Sequence, residues 1–141
     1  MPDTPPRIVL DTNVLYAGLY SASGRSYQLL RAIADGRVRI ALSTPLLFEY
    51  EEVLKRNQAD LSLSDAQVEV VLDNLCALAD FQAIYFLWRP RLPDANDDMV
   101  LELAVAAQVL RIVSFNARDF RPASQFGIEV VTPKIVLEEL Q

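Results

Sequence analysis

The acidic residues of this chain fall where a fold could gather them. Asp11 ends a short apolar run, "RIVL", and is followed at once by Thr12 and Asn13. Glu49 lies in "STPLLFEYEEVL", and Asp94, Asp97 and Asp98 crowd the start of "DANDDMVLELAVAAQVL". Ser114 ends a second apolar run, "RIVS", and Asn116 and Asp119 follow it. Carboxylates brought to one point repel each other unless a cation binds or some of them protonate. Hard oxygen donors of this kind suit Mg2+ or Mn2+. An ion so held activates water and offsets the charge of a phosphodiester transition state. The chain contains no histidine, which removes Ser-His-Asp and Cys-His catalysis and argues against an ordinary zinc site. Any acid–base or metal chemistry must therefore be run by carboxylates.

The elements that would position these residues can be read from periodicity and punctuation. Strands are predicted at 7–10, 37–42, 82–87 ("QAIYFL"), 111–114 and 128–131. Helices are predicted at 14–20, at 25–35 with Gly36 as the stop, and at 44–56 with Ser43 or Thr44 as cap and Pro45 in the first turn. A further helix opens at Ser64, with Gln67 three residues on as in a capping box, and ends near Ala79. Asp97 begins a strongly apolar helix after the proline-bearing loop "RPRLPDAND", and Thr132 with Pro133 caps a short last one. Strands alternating with helices imply βαβ units, a parallel sheet and helices on both faces. The strands are continuous apolar runs, as doubly covered strands are. The expected fold class is α/β: one domain over residues 1–141, an α/β/α sandwich around a mainly parallel sheet of about five strands, with 1–6 as a loose lead-in. In such folds ligands bind outside the carboxyl ends of the strands. Asp11, Glu49, the Asp94–Asp98 cluster and Asn116 all fall on that edge.

Each residue also has a plainer reading. Asp97 lies on the apolar stripe of its helix with Val100, Leu103, Ala104, Ala107 and Leu110, and Asp98 is rotated by about 100° from it; both could simply complement the helix dipole. Glu49 borders the apolar face of its helix beside Leu46 and Val53, Glu51 takes the opposite border and Glu52 points away, so geometry does not separate Glu49 from Glu51. Asp11 could be a helix cap. Cys76, the one cysteine, reads as a buried thiol acting as a small hydrophobe. The net charge of −6 and pI near 4.6 exclude a basic duplex-coating protein. Yet eleven arginines stand against two lysines, and arginine is the better bidentate partner for phosphate. "MPDTPP" has neither the basic start nor the apolar run of a signal peptide, and no apolar stretch approaches the roughly 20 residues of a membrane helix. A soluble cytoplasmic protein is expected.

Three segments in order, "VLDTNVL", "STPLLFEYEEVL" and "DANDDMVLELAVAAQVLRIVSFNARDF", resemble the PIN domain, and more narrowly the PIN-type toxins of bacterial toxin–antitoxin pairs. The resemblance runs from residue 7 to about 136. It implies an α/β/α ribonuclease that cleaves RNA with Mg2+ or Mn2+ held by acids. Carried over residue by residue, it places the first acid at Asp11, favours Glu49 over Glu51 as the second, puts the third at Asp97 or Asp98, and matches Asp94 to an extra acid of one branch. After the fourth strand this chain reads Ser114, Phe115, Asn116, a departure from the fully acidic pattern. Asn116 becomes a neutral ligand or water-positioner, and Ser114 a contact to ligand or phosphate. Arg25, Arg118 and Arg121 are expected in loops near this edge as phosphate contacts. The partners implied are an RNA substrate, a small cognate antitoxin and a second copy of the chain in a homodimer, with no membrane. "VLYAGLY" is either a contact surface for them or core. The alternative is a PIN-fold module that binds RNA or protein without nuclease activity. A phosphatase with Asp11 as nucleophile is disfavoured, because such enzymes generally want a second aspartate two residues on, where Asn13 stands.

Overall fold

The structure, a computed structural model, describes residues 4–84 and 95–140, with side chains from residue 99 onward in the second stretch. Five strands form one parallel sheet: β1 (Arg7–Leu10), β2 (Arg39–Leu42), β3 (Ala79–Phe81), β4 (Arg111–Val113) and β5 (Glu129–Val131), in the order β3-β2-β1-β4-β5. Ile8, Val9, Leu10, Ile40, Leu42, Ile112 and Val113 are all within 1% of fully buried, which is why these strands read as continuous apolar runs. Helices α1 (Thr12–Tyr20) and α2 (Arg25–Ala34) link β1 to β2, and α3 (Thr44–Arg56), α4 (Gln58–Leu61) and α5 (Asp65–Leu78) link β2 to β3. Helix α6 (Ala95–Ala106) precedes β4, a kinked 3-10 segment (Ala117–Phe126) precedes β5, and α7 (Pro133–Glu139) ends the chain's described part. The β1-to-β2 and β3-to-β4 connections travel in opposite directions along the sheet, so right-handed crossovers put α1 and α2 on one face and α6 on the other. Accordingly α7 packs on α2, while α6 packs on β1, β2, β4 and the 3-10 segment. The fold is α/β, as expected.

Local chemistry explains most element ends. Ser43 accepts the Leu46 N–H at 3.3 Å, with Pro45 in the first turn of α3. Ser64 and Gln67 form the reciprocal capping box of α5, at 3.1 and 2.8 Å. Gly36 follows α2 at φ +78°, a left-handed position that glycine takes without strain. Gly18 lets α1 and α2 approach closely: a Cβ there would meet Leu30 Cδ1 at 2.5 Å. Val14 and Leu15 of "VLYAGLY" are core, whereas Tyr20 is 63% exposed.

Several elements differ from expectation. The third strand pairs at 79–81 with Ile40–Leu42, earlier than the predicted 82–87; only the Gln82 N–H continues the ladder, to the Leu42 carbonyl, and 85–87 lie outside the described residues. The β2 register selects this, because Asp80 there meets Arg39 and Arg7. Helix α6 starts at Ala95 rather than Asp97 and stops at Ala106, where Gln108 turns to φ +56°, so Leu110 leaves the apolar stripe and is 70% exposed. Helix α4 and the 3-10 segment were not foreseen; Phe120 and Ala123 anchor the latter in the core. Cys76 is half-buried rather than buried.

An ion-pair network closes the amino edge of the sheet, around a cavity of about 600 Å3. Arg7 donates to the Ala107 carbonyl at 2.6 Å and lies 3.6 Å from Asp80. Arg111 binds Glu129 at 3.0 Å and, in bidentate fashion, Glu139, at 2.7 Å for one arm. The Arg111 hydrogen bond holds the Glu139 carboxyl below its ordinary 4.5. A depressed folded-state value means that the contribution of Glu139 to stability is present above pH 4.5 and is lost as pH falls through the folded value. Glu139→Gln should therefore unfold at lower urea than wild type at neutral pH, and the two midpoints should converge in acid below pH 4.5; a constant gap across that range would contradict the pairing.

Candidate active site at the carboxyl edge

The sheet order reverses between β1 and β4, so the crevice beyond their carboxyl ends is the topological switch point where ligands bind in open α/β sheets. Asp11 stands there. Its N–H bonds the Val113 carbonyl at 3.0 Å, extending the β1–β4 ladder by one residue, and its own carbonyl accepts the Val14 N–H at 3.0 Å, opening α1. The residue is thus the N-cap of α1, in extended backbone conformation. The residue is only 7% exposed. One carboxylate oxygen accepts the Thr12 N–H at 2.9 Å and the other accepts the Ser114 hydroxyl at 2.6 Å. A charge buried this far is tolerable only with such donors, and the positive end of α1 adds to them.

Ser114 is the fixed point of the opposite wall. Its N–H donates to the Val131 carbonyl at 2.9 Å, and its hydroxyl accepts the Asn116 N–H at 3.0 Å while donating to Asp11. The end of β4, the end of β5 and the turn beyond are thereby tied to one carboxylate. Asn116 precedes the 3-10 segment without capping it, and its side chain is exposed beside this site. Two residues from Asp11, the Asn13 side-chain oxygen is buried with no hydrogen-bond donor among the described residues. In the sequence Asn13 is marked only as an amide two residues after the strand-ending acid; its burial comes from the fold.

Helix α3 lies over the same edge. Tyr50 is fully buried, and its hydroxyl donates to the Leu10 carbonyl, the last of β1. Burial, and then the negative charge of Asp11, push the Tyr50 phenol well above its ordinary range. Glu49 precedes Tyr50 and is half-buried. Glu51 and Glu52 are instead engaged on the surface by Lys55 at 3.2 Å and Arg56 at 2.9 Å, one turn on. Glu102 of α6 is also buried, at 7% exposure; sequence reasoning passed over it because it sits inside the apolar run "VLELA".

The remaining expected residues divide. Asp94 lies outside the described residues, as do the side chains of Asp97 and Asp98. Among the described residues no three acidic or cysteine side chains are close enough to share one metal ion. Arg118 is exposed two residues past Asn116. Arg121 is not at this edge: it lines a cleft with Leu110, Arg111 and Glu129, at the amino ends of β4 and β5. Arg25 is the first residue of α2 rather than a loop residue, in a groove shared with Arg37 and Leu137.

With this geometry in place, the comparison with known families is decisive: the PIN domain profile matches residues 7–118. The chain belongs to the PIN domain family. No curated protein is similar enough to the chain to count as a match. PIN domains are generally nucleases that use divalent metal ions. The matched span of this PIN domain runs from β1 through the Ser114–Asn116 turn, so it includes Asp11, Glu49, Asp94, Asp97 and Asp98. The donors described at the edge, Asp11, Ser114 and Asn13, are all oxygens, which suit a hard divalent cation and not a soft metal. Among the described residues no helix is long and apolar enough to cross a membrane.

Tyr50→Phe tests how α3 is fastened to this edge. It removes the donor to a buried carbonyl, so it should cost about 1–3 kcal/mol, read as a lower urea midpoint with an unchanged slope. No loss would mean that the Leu10 carbonyl is satisfied elsewhere.

Proposed function

We propose that the chain is a single-domain, Mg2+- or Mn2+-dependent endoribonuclease, the cytoplasmic toxin of a toxin–antitoxin pair, hydrolysing phosphodiester bonds of RNA. The observation that carries this reading is the Asp11 carboxylate, buried at the β1/β4 switch point and held by Thr12 and Ser114. Asp11 and Glu49, with Asp97 or Asp98 and Asp94, would hold the ion. Such an ion, when bound, supplies Lewis-acid charge to the phosphodiester transition state.

The chain's own residues do the positioning. Ser114 fixes the Asp11 carboxylate in one orientation. The Asn13 oxygen accepts a hydrogen bond from a ribose hydroxyl or a water brought in with substrate. Asn116 orients a water or a phosphate oxygen from the exposed side, with Arg118 nearby as a phosphate contact. Glu49 is favoured over Glu51 because its place after Ser43 matches the family pattern. A small antitoxin and a second copy of the chain are the expected protein partners. The alternative is a PIN-fold module that binds RNA or protein without cleaving it; Asn116, neutral where the fully acidic form of the pattern has a fourth acid, is the residue in keeping with it.

Purified protein should cleave single-stranded RNA with Mn2+ or Mg2+ and stop in chelator. Asp11→Asn, prepared in parallel, should lose at least about 100-fold, on the order of 3 kcal/mol of transition-state stabilisation. Glu49→Gln should be comparably damaging, while Glu51→Gln and Glu52→Gln stay within a factor of two or so. Cleavage that persists in chelator and in Asp11→Asn would overturn the mechanism. A Glu51 effect larger than that of Glu49 would overturn the α3 assignment.

A further inference from the structure

The cations of this acidic protein are of two kinds. Arg7, Arg39, Arg56 and Arg111 are each tied to carboxylates. Arg25, Arg31 and Arg37 are not: all three are exposed, none is in an ion pair among the described residues, and together they line one shallow groove between α2 and α7, with Gln28, Asp35 and Leu137. Counting Asp35, the groove carries +3 − 1 = +2 in a chain of net −6. Three guanidiniums held on one groove with a single carboxylate repel one another on balance, and an incoming polyanion relieves that repulsion.

A second observation says which anion. Tyr16 and Tyr20 stack along α1, ring centroids 5.9 Å apart and planes at 14°, with Tyr20 63% exposed. Tyr16 and Tyr20 follow Asn13 at spacings of three and seven, so they continue the helix face that Asn13 begins. From Asp11 to Tyr20 is about 13 Å of helix rise. The turn 21–24 follows, and Arg25 is the next residue. An aromatic plate leading into a row of arginines is the composition of a single-strand nucleic-acid track, in which bases stack and phosphates pair. An acidic peptide would use the arginines and leave the stacked tyrosines without a role.

We propose that the outer surface of α1 and α2 is a single-stranded RNA track leading away from the Asp11 edge, with a base stacked on Tyr20 and the backbone phosphates held by Arg25, Arg31 and Arg37. It rests on the nuclease reading for the choice of RNA, and it adds the path by which a long substrate is held. A short oligonucleotide spans only the Asp11 edge, whereas a longer one reaches the groove.

The test measures fluorescence anisotropy of short and long single-stranded RNA oligonucleotides, in chelator, across a salt series. Arg31→Ala/Arg37→Ala should weaken long RNA at least about tenfold and reduce the slope of log affinity against log salt by about 1.4, the value for two phosphate contacts on a single strand. Tyr20→Ala should weaken binding without changing that slope. Circular dichroism and melting should be unchanged, because these side chains are exposed. Metal-dependent cleavage of the short oligonucleotide should be the same in the double variant as in wild type. Long RNA bound with wild-type affinity and slope by the double variant overturns the track. So does a double variant that loses self-association or binding of a poly-glutamate probe while RNA binding stays intact. If the groove dependence holds but no metal-dependent cleavage is found, the track stands and the nuclease reading fails. If short-substrate cleavage persists while the groove proves irrelevant to long RNA, the nuclease reading stands and the track fails.

Discussion

A buried carboxylate at the turn from β1 into α1 is the constraint on which the rest of this structure depends. Asp11 is nearly removed from water; the Thr12 N–H, the Ser114 hydroxyl and the positive end of α1 hold it. These donors come from the start of α1 and from the end of β4. The β1–β4 pairing must be in register for Ser114 to reach, and β5 must pair with β4 for the Ser114 N–H to be satisfied. Burying an acid costs free energy, so a sheet edge arranged around one is better explained by a ligand than by packing. A cap alone does not require a charge, since Ser43 and Ser64 cap α3 and α5 with neutral hydroxyls.

Helix α3 repeats the logic. Its apolar residues Leu46, Tyr50 and Leu54 are fully buried, and Tyr50 reaches the carbonyl just before Asp11. That contact sets the rotation of the helix and therefore how Glu49, Glu51 and Glu52 are turned relative to the edge. Glu51 and Glu52 are committed to surface pairs of the kind that add a few tenths of a kcal/mol to a helix. The chain belongs to the PIN domain family, whose members are generally nucleases; the local physics explains how this particular chain builds the edge without a histidine.

Much of the fold was legible because local chemistry and global topology agree. The Ser64–Gln67 box, the Ser43–Pro45 start and Gly36 each mark an element end by their own hydrogen bonds or backbone freedom. Asp11 was legible as the acid at a strand end. What escaped was set by distant partners. The register of β3 follows Asp80 meeting Arg39 and Arg7 across the sheet, which no local pattern encodes. The exposure of Leu110 follows from the turn at Gln108, and the burial of Glu102 from α6 being covered on nearly every side. The arginines were legible only in number: pairing separates Arg7, Arg39 and Arg111 at the amino edge from the groove of Arg25, Arg31 and Arg37, and that distinction exists only once the chain is folded.

The central claim is that Asp11 is buried for a metal ion and not only as a cap. Thermal melts of wild type and Asp11→Asn, with and without Mn2+ at fixed ionic strength, test it most directly. Asparagine caps helices about as well as aspartate, so the variant keeps the cap and loses the charge. At ten times its dissociation constant, an ion that binds only the native state adds about 1.4 kcal/mol, a rise of roughly 3–6 °C for a domain of this size. The account predicts that rise in wild type and a much smaller one in Asp11→Asn. Equal rises in the two proteins, or none in wild type, would contradict it.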